Sequence, residues 1–309
     1  NKKSIVFIFG PTASGKTDLA LNLVKEFPVE LISVDSVMVY KDCDIGSAKP
    51  DKKLLIKYPH HLINVLSPNE VFTVGDFYSL SKNIIKEVHK KNKLPIFVGG
   101  SMMYFKSLYK GMHDLPKRDQ RYRNKLKKLK CSNEEYFLFK KLKEIDPNYA
   151  KNLNKNDEVR IVRALEVHEN SGIKMSEIIL RDSENSLSKK YNVEQFCILH
   201  DRCILHKRIK DRLDKIVEYG LLDEAKNLLK SYKIDLDHPL RKSINYRQAF
   251  DFLEKKYNYD TFYETALFAT RQLAKRQITW IRSWDEFTEI NSDEYELLHN
   301  RIKKLISAL

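Results

Sequence analysis

Long apolar runs are missing from this chain of 309 residues. No window approaches the ~18 consecutive apolar residues that a bilayer-spanning helix needs. The N-terminus carries no signal-peptide hydrophobic region, so no membrane partner is expected and the cytoplasm is the expected compartment. Cysteine is scarce as well. Cys43, Cys131, Cys197 and Cys203 are far apart except for the last two, and no CxxC pair occurs. That argues against a zinc site and against a disulfide framework, and it fits a reducing compartment. Internal repeats are absent, and no low-complexity tail gathers the charge.

Positive charge is what the chain has in excess. Lys and Arg total 56 against 42 acidic residues, a net charge of +14. A polyanion is a natural partner for such a surface, although a basic chain can also reflect only the genome that encodes it. With 42% hydrophobic residues the chain can bury a substantial core, as one large domain or two of ordinary size.

Three β-branched and aromatic runs, SIVFIFG (4–10), VELISVDS (29–36) and LPIFVGG (94–100), end in Gly, Ser or Asp. Apolar on both faces, they suit buried parallel strands. The stretches KTDLALNLVKEF and VGDFYSLSKNIIKEVHKKNK between them have the three-four spacing of amphipathic helices. This βαβ pattern predicts an α/β fold, with a doubly wound parallel sheet over residues 1 to about 115. From Pro116 the texture changes. PKRDQRYRNKLKKLK holds eight basic residues in fifteen against one acid, and the polar, helix-periodic sequence to about 190 reads as a helical insertion. YNVEQFCILH (191–200) predicts one more strand returning to the sheet, followed by a helical pattern almost throughout to the C-terminus.

GPTASGKT, from Gly10 through Pro11, Thr12, Ala13, Ser14, Gly15 and Lys16 to Thr17, matches the phosphate-loop pattern with a strand before it and a helix after it. Glycines let the backbone curl with N–H groups inward, the helix N-terminus adds partial positive charge, Lys16 reaches phosphate oxygens and the Thr17 hydroxyl can complete a Mg²⁺ shell. The loop specifies a diphosphate; ATP is one molecule that carries one. Asp35, at the carboxyl end of the second strand, lies where ligands of such sheets bind. It can hold metal through water, take a proton from an acceptor, or simply cap a turn.

Several separated stretches together resemble one family, the tRNA dimethylallyltransferases, also called tRNA isopentenyltransferases. They are GPTASGKT (10–17), DSVMVYKDCDIGSAKP (35–50), HHLINVLSP (60–68), FVGGSMMYFKSL (97–108), RIVRALEV (160–167), RIKDRLDKIVEYGLLDEA (208–225) and RQLAKRQITWIR (271–282), in the family's order over nearly the whole chain. The resemblance implies a P-loop NTPase-like core, residues 1–115 and 191–309, with a helical tRNA-binding insertion at 116–190. It implies transfer of a dimethylallyl group from dimethylallyl diphosphate, with Mg²⁺, to the exocyclic N6 of an adenosine adjacent to the anticodon of tRNA. The phosphate loop then binds the donor's diphosphate rather than ATP, and Thr12 helps to seat it.

Asp35 falls at the family's general-base position. Ser101 stands where the family usually has Thr, and Arg212 matches an arginine that meets the diphosphate from the far side. The tRNA contacts implied are Asp35, Ser36, Val37 and Met38; Ser101; Arg123; Val159, Arg160, Ile161, Val162 and Arg163; and Lys242, Ser243, Ile244, Asn245, Tyr246 and Arg247. Two positions depart from the pattern: Met38 where glutamine is frequent, and Asn245 where glycine is usual. Asn tolerates positive φ better than most residues, so that turn can survive.

In RQLAKRQITWIR, Arg271, Lys275 and Arg282 are spaced by four and seven and share one helical face, with Leu273 and Trp280 on another. The expectation is a phosphate-facing stripe over a packed back, in a monomer that draws the target base into a crevice. Two other readings stay open: an ATP-dependent small-molecule kinase, and a basic RNA-binding protein whose loop is only structural.

Overall fold

The computed structural model describes residues 2–113, 115–132, 134–180, 186–290 and 295–308. It divides into two compact units, one of Asn1–Lys110 with Ser186–Leu309 and one of Gly111–Asn185. The division falls five residues earlier at each end than 116 and 191. At the first boundary the helix Met102–Lys110 ends at Gly111, whose φ of 81° suits glycine. At the second, Ser188 donates its hydroxyl to the Tyr109 carbonyl at 2.9 Å, which ties the short helix Leu187–Lys190 to the sheet unit.

The sheet has six strands: β1 (Ser4–Phe9), β2 (Val29–Val34), β3 (His60–His61), β4 (Leu94–Gly99), β5 (Asn192–Ile198) and β6 (Thr288–Ile290). Their order is β3-β2-β4-β1-β5-β6, and every pairing is parallel. The three apolar runs are the central strands, and every residue of β1 and β4 is buried. The predicted return strand is β5, which pairs along β1 from Ser4↔Asn192 to Phe9↔Cys197. The α/β, P-loop-type sheet expected from the sequence is therefore present. β3 and β6 were not anticipated, and β6 interrupts a region read as helical. With two and three residues, each hydrogen-bonded to one neighbour at a sheet edge, they are too short to show a period of two.

The side chains of β1 alternate between two different cores. Val6 and Ile8 pack with Ala20 and Leu23 of the helix Lys16–Glu26 and with Leu298 and Ile302 of the helix Tyr295–Ile306. Phe7 and Phe9 face the other way and meet Phe105 of the helix Met102–Lys110 at 5.1 and 5.4 Å between ring centroids. Burying such side chains stabilises by about 1.5–3 kcal/mol each. The chain thus leaves β1 over one face and its neighbour β4 over the other. Adjacent strands whose connections part in this way open a crevice at their carboxyl ends, and the candidate site residues Thr12, Asp35 and Ser101 of the sheet unit gather there.

The unit Gly111–Asn185 is helical in its described residues: Gln120–Cys131, Phe137–Ile145, Pro147–Ala150, Glu158–Ser171 and Met175–Leu180. Tyr122 and Leu126 of the first helix pack with Leu138, Leu142, Ile161 and Leu165. Its lysines 125, 127, 128 and 130 are exposed. The buried carboxylate of Asp146 accepts the amides of Tyr149 at 3.0 Å and Ser176 at 2.8 Å, supplying acceptors at two helix starts.

Candidate functional site

The phosphate loop joins β1 to the helix Lys16–Glu26, and side chains from far along the chain fix its carbonyls. Arg208 Nε donates to the Ala13 carbonyl at 2.7 Å, and His200 Nε2 to the Ser14 carbonyl at 2.8 Å. Lys16 Nζ folds back on the Pro11 carbonyl at 2.8 Å. Ala13 and Gly15 take positive φ, 64° and 91°, as a curling loop requires. No protein group accepts from the Ala13 and Gly15 amides among the described residues, and the first-turn amides that follow have no partner within the helix. The result is a cluster of N–H donors at a helix N-terminus, suited to an anion. Burial, and then the charge of Arg212, pull the Lys16 ammonium down to about 7, partly opposed by Asp35. An anionic ligand beside Lys16 reverses that balance.

Two adjoining chambers open from this loop. The smaller, of about 90 Å³, is lined by Lys16, Thr17, Ser33, Met38 and His60 among others. The larger, of about 580 Å³, is lined by Ser36, Ser47, Ser101, Asn245, Trp280 and their neighbours. Thr12, Asp35, Gly100, Arg212, Leu273 and Gln277 line both. Asp35, just beyond β2, accepts the amides of Val37 at 2.8 Å and Met38 at 3.1 Å with Oδ1 alone. It is thus a turn aspartate that keeps its second oxygen for other use. Burial lowers the pKa of Arg212 from the usual arginine value, against the pull of Asp35 and Asp18.

The sequence-derived candidates separate clearly. Asp35, Ser101, Arg212, Ser36 and Val37, with Lys242, Ser243, Ile244 and Asn245, line the large chamber. Met38 lines the small one, beside Lys16 and Thr17. Tyr246 is 0% exposed; its hydroxyl donates to Glu224 at 2.6 Å and its ring fills the space a side chain on Gly46 would need. It therefore offers no surface to a partner. Arg247 sits on the surface, 3.9 Å from Asp251.

In the helical unit, the run from Val159 to Arg163 turns with the helix. Val159 is 80% exposed and Arg160 is open to solvent, Val162 is partly buried, and Ile161 is in the core. Arg123 and Arg163 are both committed to Glu166, with Arg123 Nε at 2.6 Å and Nη2 at 2.9 Å and Arg163 Nη1 at 2.5 Å.

Sequence reasoning missed three features. Gln277 lies between Leu273 and Trp280 on a face put down to packing, yet that face lines the large chamber; the packed side is formed by Ala266, Ala274 and Ile281. Lys275 and Arg282 are exposed as expected, and Arg271 is half-buried. An amide on an apolar stripe was the available sign. Glu224 accepts the amides of Asp44, Ile45 and Gly46 at 2.9, 2.7 and 2.9 Å, pinning the segment whose continuation, Gly46–Ala48, walls the large chamber. Nothing local marked that pairing, nor the grip of Arg208 and His200 on the phosphate loop.

Among the described residues no group of three or more His, Cys, Asp or Glu is placed to hold a metal ion. The Thr17 hydroxyl, with Ser33 and Asp35 around the same chamber, supplies the hard oxygen donors that suit a cation held mostly by a ligand's phosphates. No described helix is long and apolar enough to cross a membrane.

Comparison with known proteins gives the chain's family. A family model described as IPP transferase matches residues 38–284. A tRNA dimethylallyltransferase of Francisella tularensis subsp. novicida is 40% identical over 95% of this chain and 95% of its own, and one of Nitrosomonas eutropha is 39% identical over 91% and 88%. Among solved structures, the full-length tRNA isopentenylpyrophosphate transferase of Bacillus halodurans superposes with a TM-score of 0.70 at 32% identity, covering 100% of this chain and 98% of that one. A eukaryotic dimethylallyltransferase acting on tRNA gives a TM-score of 0.77 at 28% identity over 90% of this chain and 70% of its own. The family model covers the helical unit and most of the C-terminal helices, the match to the Bacillus halodurans structure takes in the phosphate loop as well, and the chain belongs to the IPP transferase family.

Proposed function

We propose that this protein transfers a dimethylallyl group from dimethylallyl diphosphate to N6 of the adenosine adjacent to the anticodon of tRNA, giving N6-isopentenyladenosine. One observation carries the reading: Asp35 and Arg212 line both a small chamber at the phosphate loop and a larger chamber beside it. A group transfer needs that arrangement, with the leaving group on one side, the acceptor on the other, and a base between.

The N6 lone pair is delocalised into the purine ring, so the amine is a poor nucleophile until its proton has somewhere to go. Asp35 Oδ1 is fixed by two backbone amides, and Oδ2 takes the proton as the N6–C1 bond forms and the C1–O bond to diphosphate breaks. Negative charge growing on the departing diphosphate meets Lys16, the loop amides and Arg212. Thr12 seats the diphosphate, and Ser101 orients the amine by a hydroxyl that serine keeps in place of threonine. When bound at Thr17, Mg²⁺ supplies further neutralisation of the leaving group. Ile209, Leu213 and Leu273 provide apolar lining that keeps water from the allylic carbon.

Acceptor binding draws on the basic surface. The exposed lysines of Gln120–Cys131, with Lys275 and Arg282, meet the phosphate backbone, and the target base leaves its stack to reach the large chamber. The helical unit is the tRNA-binding insertion, and the enzyme works as a cytoplasmic monomer. Incubation with labelled dimethylallyl diphosphate or labelled ATP, Mg²⁺ and an anticodon stem-loop tests the reading. Transfer of the prenyl label to RNA is expected; transfer from ATP, or RNA binding indifferent to changes at Lys16 and Asp35, overturns it.

A further inference from the structure

Gln277 stands in the long helix Tyr259–Arg282, is 8% exposed, and uses both ends of its amide. Its Oε1 accepts the Thr12 amide at 2.8 Å, and its Nε2 donates to the Gly100 carbonyl at 3.0 Å. Thr12 belongs to the loop after β1, and Gly100 directly follows β4. These are the neighbouring strands whose connections part over opposite faces. Gln277 therefore spans the crevice where a ligand of this sheet binds, from its diphosphate side to the residue before Ser101. A side chain on Gly100 would collide with Gln277 Nε2, so the two fit closely. The same helix is tied to the helix after Ser101 by Lys106, whose ammonium lies 5.5 Å from the Trp280 ring centroid.

We infer that Gln277 is a positioning residue for prenyl transfer, fixing the separation between the diphosphate cradle at Thr12 and the amine-orienting hydroxyl at Ser101. The chemistry singles out glutamine, because one amide serves an N–H and a C=O at once. A carboxylate in its place accepts from Thr12 but repels the Gly100 carbonyl and the diphosphate, whereas leucine does neither. Reactive groups must be held in near-attack geometry, and a misplacement of about 1 Å costs about a hundredfold in rate.

This inference rests on the proposed function, and the test separates the two. Wild-type transfer with dimethylallyl diphosphate and stem-loop RNA is the control for the function; if it is absent, Gln277 is judged by affinity for inorganic pyrophosphate alone. Gln277→Leu is expected to lower kcat about a hundredfold and weaken pyrophosphate about tenfold, with RNA affinity kept within about threefold.

Gln277→Glu serves if the leucine variant does not fold. Protonated glutamic acid restores the donor-and-acceptor pattern, so its activity relative to wild type should rise about tenfold from about pH 8 to about pH 5.5. Lys16 on the phosphate loop, Asp35 beyond β2, Arg212 on the helix Arg202–Glu218 and Arg276 beside Gln277 on its own helix carry charge around the same chambers. Their shared titration drops out of the ratio, and the one difference, a Gln277→Glu carboxylate that keeps Lys16 charged to higher pH, works against the expected rise toward acid rather than producing it. A folded Gln277→Leu with wild-type kcat and pyrophosphate affinity, or a Gln277→Glu ratio flat with pH, overturns the inference.

Discussion

Glu224 and Gly46 are 178 positions apart, and a Glu224 carboxylate oxygen accepts the Gly46 amide at 2.9 Å. With the amides of Asp44 and Ile45 and the hydroxyl of Tyr246 on the same carboxylate, one side chain holds a wall of the large chamber in shape. Glu224→Gln puts an NH₂ group against backbone N–H donors. It should cost about 2–3 kcal/mol of stability, since a buried donor left unmet costs about 1–3 kcal/mol. We expect the KM for RNA to rise more than that for the donor; urea unfolding and separate KM titrations measure the two effects.

Asp35→Asn keeps an oxygen for the Val37 and Met38 amides and so keeps the turn, but it cannot take a proton. Turnover should fall about a thousandfold with RNA binding intact, in line with the loss of a general base; Asp35→Ala should abolish transfer, also with binding intact. Loss of RNA binding with unchanged single-turnover rate on bound RNA would sink the base assignment.

Lys16→Met removes the ammonium that sits among the loop amides while leaving its stem. Pyrophosphate affinity should drop about a hundredfold through loss of a charge-assisted contact. Calorimetric titration of pyrophosphate reads it, and an unchanged affinity would mean that the diphosphate binds elsewhere.

Glu166 gathers two arginines and a backbone amide of the helical unit. Its side chain is 0% exposed, and although burial works against ionisation, the hydrogen bonds of Arg123, Arg163 and the Asp119 amide bring its pKa down to about 2. A depressed carboxylate contributes stability that is complete above its ordinary value of 4.5 and is lost as pH falls toward about 2. Amide exchange within residues 111–185 should therefore quicken selectively through that acid window. Glu166→Gln should bring the same acceleration at neutral pH, at a cost of about 3 kcal/mol.

What could be read from the sequence was what is local. β1, β2 and β4 announce themselves because burial on both faces leaves them mostly apolar, with Ser4, Glu30 and Ser33 as the polar exceptions, and the phosphate loop because glycine, lysine and threonine must fall at fixed offsets. Asp35 was legible from its place at a strand end. The short strands β3 and β6 depend on a neighbour rather than on their own pattern. Gln277 was hidden by its position on an apparently apolar stripe, since pairing with Thr12 lies 265 residues away and no periodicity encodes it. Tyr246 and Ile161 fell within runs of implied tRNA contacts, but helical turns sent them inward; a run of residues on a helix never shares one environment.

The anchoring of the Ala13 and Ser14 carbonyls by Arg208 and His200 has a consequence for how such motifs should be regarded. GPTASGKT encodes only half of the proposed anion receptor, and the other half is written almost two hundred positions later. A fragment that ends before the return strand would retain every letter of the signature and lose the struts that keep its amides converged. Grafting the loop onto another parallel sheet would meet the same difficulty, and success would depend on transplanting the external grip along with the glycines.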